Sequence, residues 1–172
     1  MRKTLLFMAL LVVIIFYYSK SEEYIVIPDD AIRFRIIPNS NSKEDLEIKE
    51  KVKNRINNEM NLVSNKGNVS EARSDIKSKI PLLEESINTE FKESNYNKSF
   101  KVKYGENYFP EKTYKGIKYK SGYYESLVVE IGKAKGDNFW CVLYPPLCMI
   151  DETKVEDKDY KFFIKDFIEK YL

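Results

Sequence analysis

Histidine is absent from the 172 residues, and that absence bounds the chemistry before any fold is considered. A Ser-His-Asp triad, a Cys-His pair, an HExxH zinc site and a histidine general base are all excluded. Two cysteines without histidine make a poor zinc site, which wants four mainly nitrogen and sulfur ligands. No metal and no cofactor are expected. What remains is a Ser-Lys pair, carboxylate chemistry, or binding without catalysis. Candidate acid pairs for such chemistry include Glu125 with Glu130 and Asp151 with Glu152. On a strand Glu125 and Glu130 point to opposite faces, because their separation is odd, and they converge only across a bulge.

The remaining reactive or distinctive residues crowd into one run, DNFWCVLYPPLCMID. It holds the sole Trp, Trp140, both cysteines, Cys141 and Cys148, and the Pro145-Pro146 pair. As a strand, FWCVLY sends Phe139, Cys141 and Leu143 to one face and Trp140, Val142 and Tyr144 to the other. Apolar residues on both faces predict a central strand covered on both sides. The prolines cannot donate ladder hydrogen bonds, so pairing stops at Tyr144. A reversal there would bring the two cysteines within disulfide range. Two alternatives stay open: a Cys141–Cys148 disulfide, or two buried free thiols.

Several elements must position this run. In AIRFRIIPNSNSKED, Ile32, Phe34 and Ile36 alternate with Arg33 and Arg35, the pattern of a half-buried strand. Ser42 and Asp45 form an S-x-x-D helix start. Ile48, Val52, Ile56, Met60 and Val63 then mark a helix of about five turns. After Gly67 and Asn68 the same periodicity returns at Ala72, Ile76, Ile80, Leu83, Ile87 and Phe91. Pro81 interrupts it, and the expectation is two helical segments or one kinked helix. Strand patterns follow in SFKVKYGENYF, in two runs around the Lys-Ser-Gly turn at residues 120–122, and in NFWCVLY after the Gly132 to Gly136 turn. The tail from Asp157 predicts a final amphipathic helix. The fold class is α+β: an antiparallel sheet of about four to five strands covered by two amphipathic helices, plus a C-terminal helix.

Arg2 and Lys3 precede an unbroken apolar run from Leu5 to Tyr18. Fourteen helical residues reach about 21 Å, short of the roughly 30 Å hydrocarbon core. Residues 1–21 therefore read as a signal peptide or an N-terminal membrane anchor, and residues 22–172 as a single exported domain. Without Arg2, Lys3 and Lys20 the charge balance is 26 basic to 27 acidic. So even a balance holds no polyanion, and nucleic acid is not an expected partner. Membrane contact is expected only through the N-terminal segment. With 43% apolar and 14% aromatic residues, the body has the composition of a folded domain.

Three segments resemble the stage II sporulation protein R family of endospore-forming bacteria: AIRFRIIPNSNSKED, NYFPEKTYKGIKYKSGYYESLVVEIGKAKGDN and FWCVLYPPLCMID. The last is the most specific. This chain departs from the family pattern at Pro38, Asn41, Glu111, Lys120 and Phe139, where the family prefers Ala, Asp, Thr, Pro and Trp. The resemblance implies a protein made in the forespore and exported to the space between forespore and mother-cell membranes. Its partner there is a membrane-embedded aspartic protease that processes pro-sigma-E, and no catalytic residue is implied. An activating ligand of this kind needs a rigid aromatic contact set. The candidates are Trp140, Tyr144, Pro145, Pro146 and Leu147 of the turn, with Tyr108, Phe109, Lys112, Tyr114 and Tyr124. Arg33 and Arg35, which share a strand face, are candidate anion or partner contacts. The alternative function is an exported carboxylate-dependent hydrolase acting on an envelope polymer.

Overall fold

The computed structural model describes residues 25–60, 68–114 and 117–149, with positions 8, 10 and 11 near the N-terminus. The helix expected after Asp157, the Asp151–Glu152 pair and Val63 lie outside the described residues, as does nearly all of the segment 1–21. Among the described residues no helix is long and apolar enough to cross a membrane.

The elements run β1 (Ile25–Val26), β2 (Ile32–Ile37), α1 (Lys43–Met60), α2 (Val69–Glu93), β3 (Phe100–Phe109), β4 (Lys112–Tyr114), β5 (Ile117–Tyr119), β6 (Gly122–Ile131) and β7 (Phe139–Tyr144), then a 3-10 turn (Leu147–Met149). The class is α+β, with two helices on one face of a four-stranded sheet ordered β3-β6-β2-β7. That sheet is mixed rather than antiparallel. β6 pairs antiparallel with β3, but β2 and β6 run parallel, Phe34 facing Leu127 in register. The long connection through two helices is what lets the chain return beside β2 in the same direction. The short strands form a second hydrogen-bonded sheet, ordered β1-β5-β4. The Lys-Ser-Gly turn therefore joins strands of different sheets instead of closing a hairpin.

β7 is a second correction. It pairs with β2, not with β6, and forms an edge of the main sheet. β2 takes the centre because it is buried on both faces: Ile32, Phe34 and Ile36 toward the helices, Arg33 and Ile37 away from them.

Both helices present the stripes read from their periodicity. Ile48, Val52, Ile56 and Met60 of α1 and Ala72, Ile76, Leu83, Ile87 and Phe91 of α2 pack into one core with Leu127, Val129 and Ile131 of β6. Each such Ile, Leu or Val buried contributes about 1.5 to 3 kcal/mol. α2 is a single helix despite Pro81. Pro81 sits on the solvent face, and Ile76, Leu83 and Ile87 stay in phase across it, so burial offsets the lost backbone bond. Asn68 caps α2, its side chain accepting from Glu71 N at 2.9 Å.

The PNSN loop after β2 ties the fold together. Gly136 N donates to Pro38 O at 3.0 Å, Lys133 N to Asn39 Oδ1 at 3.0 Å and Asp137 N to Asn41 Oδ1 at 2.6 Å. Gly132 has φ +56°, and any Cβ there would strike the Asn39 side chain, so this turn needs glycine twice over. Ser42 caps α1 by accepting from Asp45 N at 3.2 Å. The Asp45 carboxylate is buried and accepts from Asn39 at 2.8 Å, Ser40 at 2.5 Å and Tyr96 at 2.5 Å. Burial pushes its pKa up, but hydrogen bonding to Ser40, Tyr96, Asn39 and Ser42 outweighs that and holds it at about 2. The same contact and its own burial push the Tyr96 hydroxyl up.

Candidate partner-binding surface

The sheet face turned away from the helices carries most of the candidate residues, and it is a second core rather than an open surface. Arg33 is 1% exposed, so the alternation that marked it as solvent-facing is overridden by the segment folded over β2. Its guanidinium lies 3.3 Å from the Tyr124 ring centre, 5.6 Å from Phe109 and 5.8 Å from Tyr119. Burial lowers its pKa, with Tyr124 opposing.

Arg35, next on the same face, is half-buried. It donates to Tyr108 O at 3.3 Å, and the Asn138 carboxamide oxygen accepts from it at 2.8 and 3.2 Å. Trp140 closes the layer by edge contacts with Phe109 at 5.1 Å and Tyr119 at 5.9 Å. Lys112 Nζ stands 5.2 Å over the Trp140 ring. Its pKa is lowered by burial, and the nearby Lys49 and Arg35 lower it further against the pull of Asp137.

The turn after β7 is also mostly internal. Tyr144, Pro145 and Pro146 are buried, and Leu147 and Cys148 are half-exposed. Cys141 and Cys148 form a disulfide with Cα atoms 5.5 Å apart. Both pack against the helix-side core, which explains why Pro-Pro-Leu-Cys turns back instead of leading away. Tyr144 joins that same core, against the alternation, beside the register shift at Ile32 and Arg33. Trp140, Phe109, Tyr124 and Arg33 thus pack together on the face away from the helices, whereas Tyr144 packs on the helix side and Pro145 and Pro146 are buried in the turn that follows it.

What is left open to a partner is a smaller aromatic patch. Tyr108 and Tyr123 face each other across β3 and β6, with ring centres 5.5 Å apart, and are 53% and 71% exposed. Tyr123 was not among the sequence candidates. Its signal was available in the alternation of GYYESLVV, which sets Tyr123 and Tyr124 on opposite faces. Tyr119 was missed as well, because a three-residue strand shows too little periodicity to reveal an inward ring. Tyr114 lies in β4.

The acids do not converge. Glu125, on the helix side, is held by Arg73 through bonds of 2.7 and 2.8 Å and by Tyr104 at 2.7 Å. Those partners, Arg73 first, lower its pKa. Glu130, on the other face, pairs with Lys103 at 2.7 Å. Among the described residues no three His, Cys, Asp or Glu side chains could hold a metal ion.

The family model for Stage II sporulation protein R matches residues 28–154. The Stage II sporulation protein R of Bacillus subtilis (strain 168) is 35% identical over 152 residues, covering 86% of this chain and 68% of that protein. No solved structure matches. The matched region contains every described strand of the main sheet, both helices and the Cys141–Cys148 turn, and the chain belongs to the stage II sporulation protein R family.

Proposed function

We propose that this protein is an exported signal of sporulation that acts as a ligand and not as an enzyme. In this reading it is made in the forespore and works between the forespore and mother-cell membranes. There it binds a membrane-embedded aspartic protease and switches on processing of pro-sigma-E. Family membership supports the sporulation role, and the apolar run from Leu5 to Tyr18 supports export.

The observation that carries the choice of ligand over hydrolase is the engagement of the acids. Glu125 and Glu130 project from opposite sheet faces, and each is already ion-paired. A general acid and base must instead flank one reacting centre. The exposed aromatic pair Tyr108 and Tyr123 supplies the kind of rigid anchor that binding interfaces favour. Activation requires only differential affinity: moving a protease from 1:99 to 99:1 active takes about 5.5 kcal/mol between its two states.

The test is a Glu125→Gln, Glu130→Gln chain assayed for pro-sigma-E cleavage. Activation at the wild-type level with the fold intact supports the ligand reading. Loss of activation in a folded variant transfers the function to carboxylate chemistry.

A further inference from the structure

The face away from the helices holds hydrogen-bond donors with nothing to donate to. Arg33 Nε and Nη1 are buried without a partner, and so is Trp140 Nε1 on the neighbouring strand β7. Unpartnered buried donors are rare in folded proteins, and each calls for an explanation. These three frame the same two rings. Phe109 lies 5.6 Å from the Arg33 guanidinium and 5.1 Å from the Trp140 ring, and Tyr119 lies 5.8 and 5.9 Å away.

At the outer edge of the layer, Lys112 Nζ sits over Trp140, and among the described residues it has no ion-pair partner. The carboxylates that face these cations are Asp29 toward Arg33, Glu130 toward Arg35 and Asp137 toward Lys112. None forms an ion pair with Arg33 or Lys112, and Glu130 is taken by Lys103. Every unmatched polar group in the layer is a donor, and two of the three side chains are cationic. Among the described residues, no carboxylate is bonded to any of these donors.

We propose that Arg33, Trp140 and Lys112 form a carboxylate-binding site between β2, β7 and β4. The half-buried Trp140 and Lys112 make its outer edge, and Arg33, 1% exposed, lies inward beside the Phe109 and Tyr119 rings. A guanidinium edge matches the two oxygens of a carboxylate, and Lys112 adds a point charge. The surrounding aromatic rings keep water out and strengthen each bond. A neutral amide or sugar would leave the cations uncompensated. The carboxylate is either that of a small free acid or that of an acidic side chain in a peptide.

Trp140 is the only Trp in the chain, so its fluorescence reports this site without background. The full chain is titrated with sodium succinate and, separately, with N-acetyl-aspartate amide, with sodium chloride holding the ionic strength constant. The expected result is a saturable change in Trp140 emission with either acid and none with chloride. Stronger binding of the blocked aspartate identifies a peptide side chain as the source, and stronger binding of succinate a free acid. Lys112→Gln, which leaves the packed rings in place, should weaken binding about tenfold while far-ultraviolet dichroism stays unchanged. Arg33→Lys, which keeps the charge but loses the fork, should weaken it as well.

An absent or unsaturable response, the same response to chloride, or unaltered affinity in a folded Lys112→Gln chain overturns the proposal. The site is read on the isolated chain and does not depend on the protease reading. A Lys112→Gln chain that loses succinate binding yet still activates the protease upholds the site and places it outside the protease contact.

Discussion

The guanidinium of Arg33 on β2 lies 3.3 Å from the centre of the Tyr124 ring on β6, joining the two central strands from the face opposite the helices. A desolvated cation–π contact of this kind is worth about 2 kcal/mol. Tyr124→Leu keeps an apolar side chain there but removes the ring, and the Tyr124 hydroxyl bond to Lys120 O goes with it. The chain should lose about 2 kcal/mol, read as a lower midpoint in urea with an unchanged slope. An unchanged midpoint would mean that the contact contributes nothing net.

Asp45 sets the acid limit of the fold. Its carboxyl titrates at about 2 in the folded state against an ordinary 3.8, so on acidification the unfolded chain takes up the proton first. The stabilisation, about 2 kcal/mol, is complete above about pH 5 and is lost as pH falls from about 4 through 2. Asp45→Asn should remove this pH dependence and lower stability at neutral pH. Thermal unfolding of both chains between pH 2 and 7 checks it: parallel curves would show that another acid is responsible.

The disulfide between Cys141 and Cys148 closes a short loop, for which chain entropy alone gives about 2 kcal/mol. The intact mass of the unreduced chain should be lighter than the reduced one by two hydrogens. Replacing both cysteines with Ser should lower the melting temperature by several degrees. An unreduced mass equal to the reduced one would refute the bond.

Exposure separates the aromatic residues into two classes with different expected phenotypes. Pro145→Ala with Pro146→Ala acts on buried positions and should lower stability. Tyr108→Ala with Tyr123→Ala acts on an exposed pair and should leave thermal unfolding within about 1 kcal/mol of wild type. In the proposed function the tyrosine pair, not the proline pair, should weaken protease activation with the fold intact. Full activation by the tyrosine variant would move the contact elsewhere.

The helices were legible because Ile48, Val52, Ile56 and Met60 repeat at one spacing and all face one core. Of the two readings at Pro81 the split into two segments fails, because the residue falls on the solvent face of one helix whose apolar stripe runs past it. The inward turn of Arg33 was not legible: period-2 alternation marks a polar residue as outward, and the residues that cover it, Phe109, Tyr119 and Tyr124, come far later in the chain. β7 looked central because both its faces are apolar, yet the same pattern suits an edge strand whose outer face packs under Phe109 and Tyr119. β1 and β4, of two and three residues, carry too few positions for any period to show. The exposed pair Tyr108 and Tyr123 needed the β3–β6 register, which sets the two rings opposite each other.

The central claim is that this domain is by itself a sufficient activating ligand. The most direct measurement supplies purified residues 22–172 to the extracytoplasmic side of membranes that carry the aspartic protease, with pro-sigma-E on the other side. The account predicts cleavage of pro-sigma-E that depends on the added domain and saturates with its concentration. No cleavage, with a folded domain and a protease shown to be competent, would contradict it.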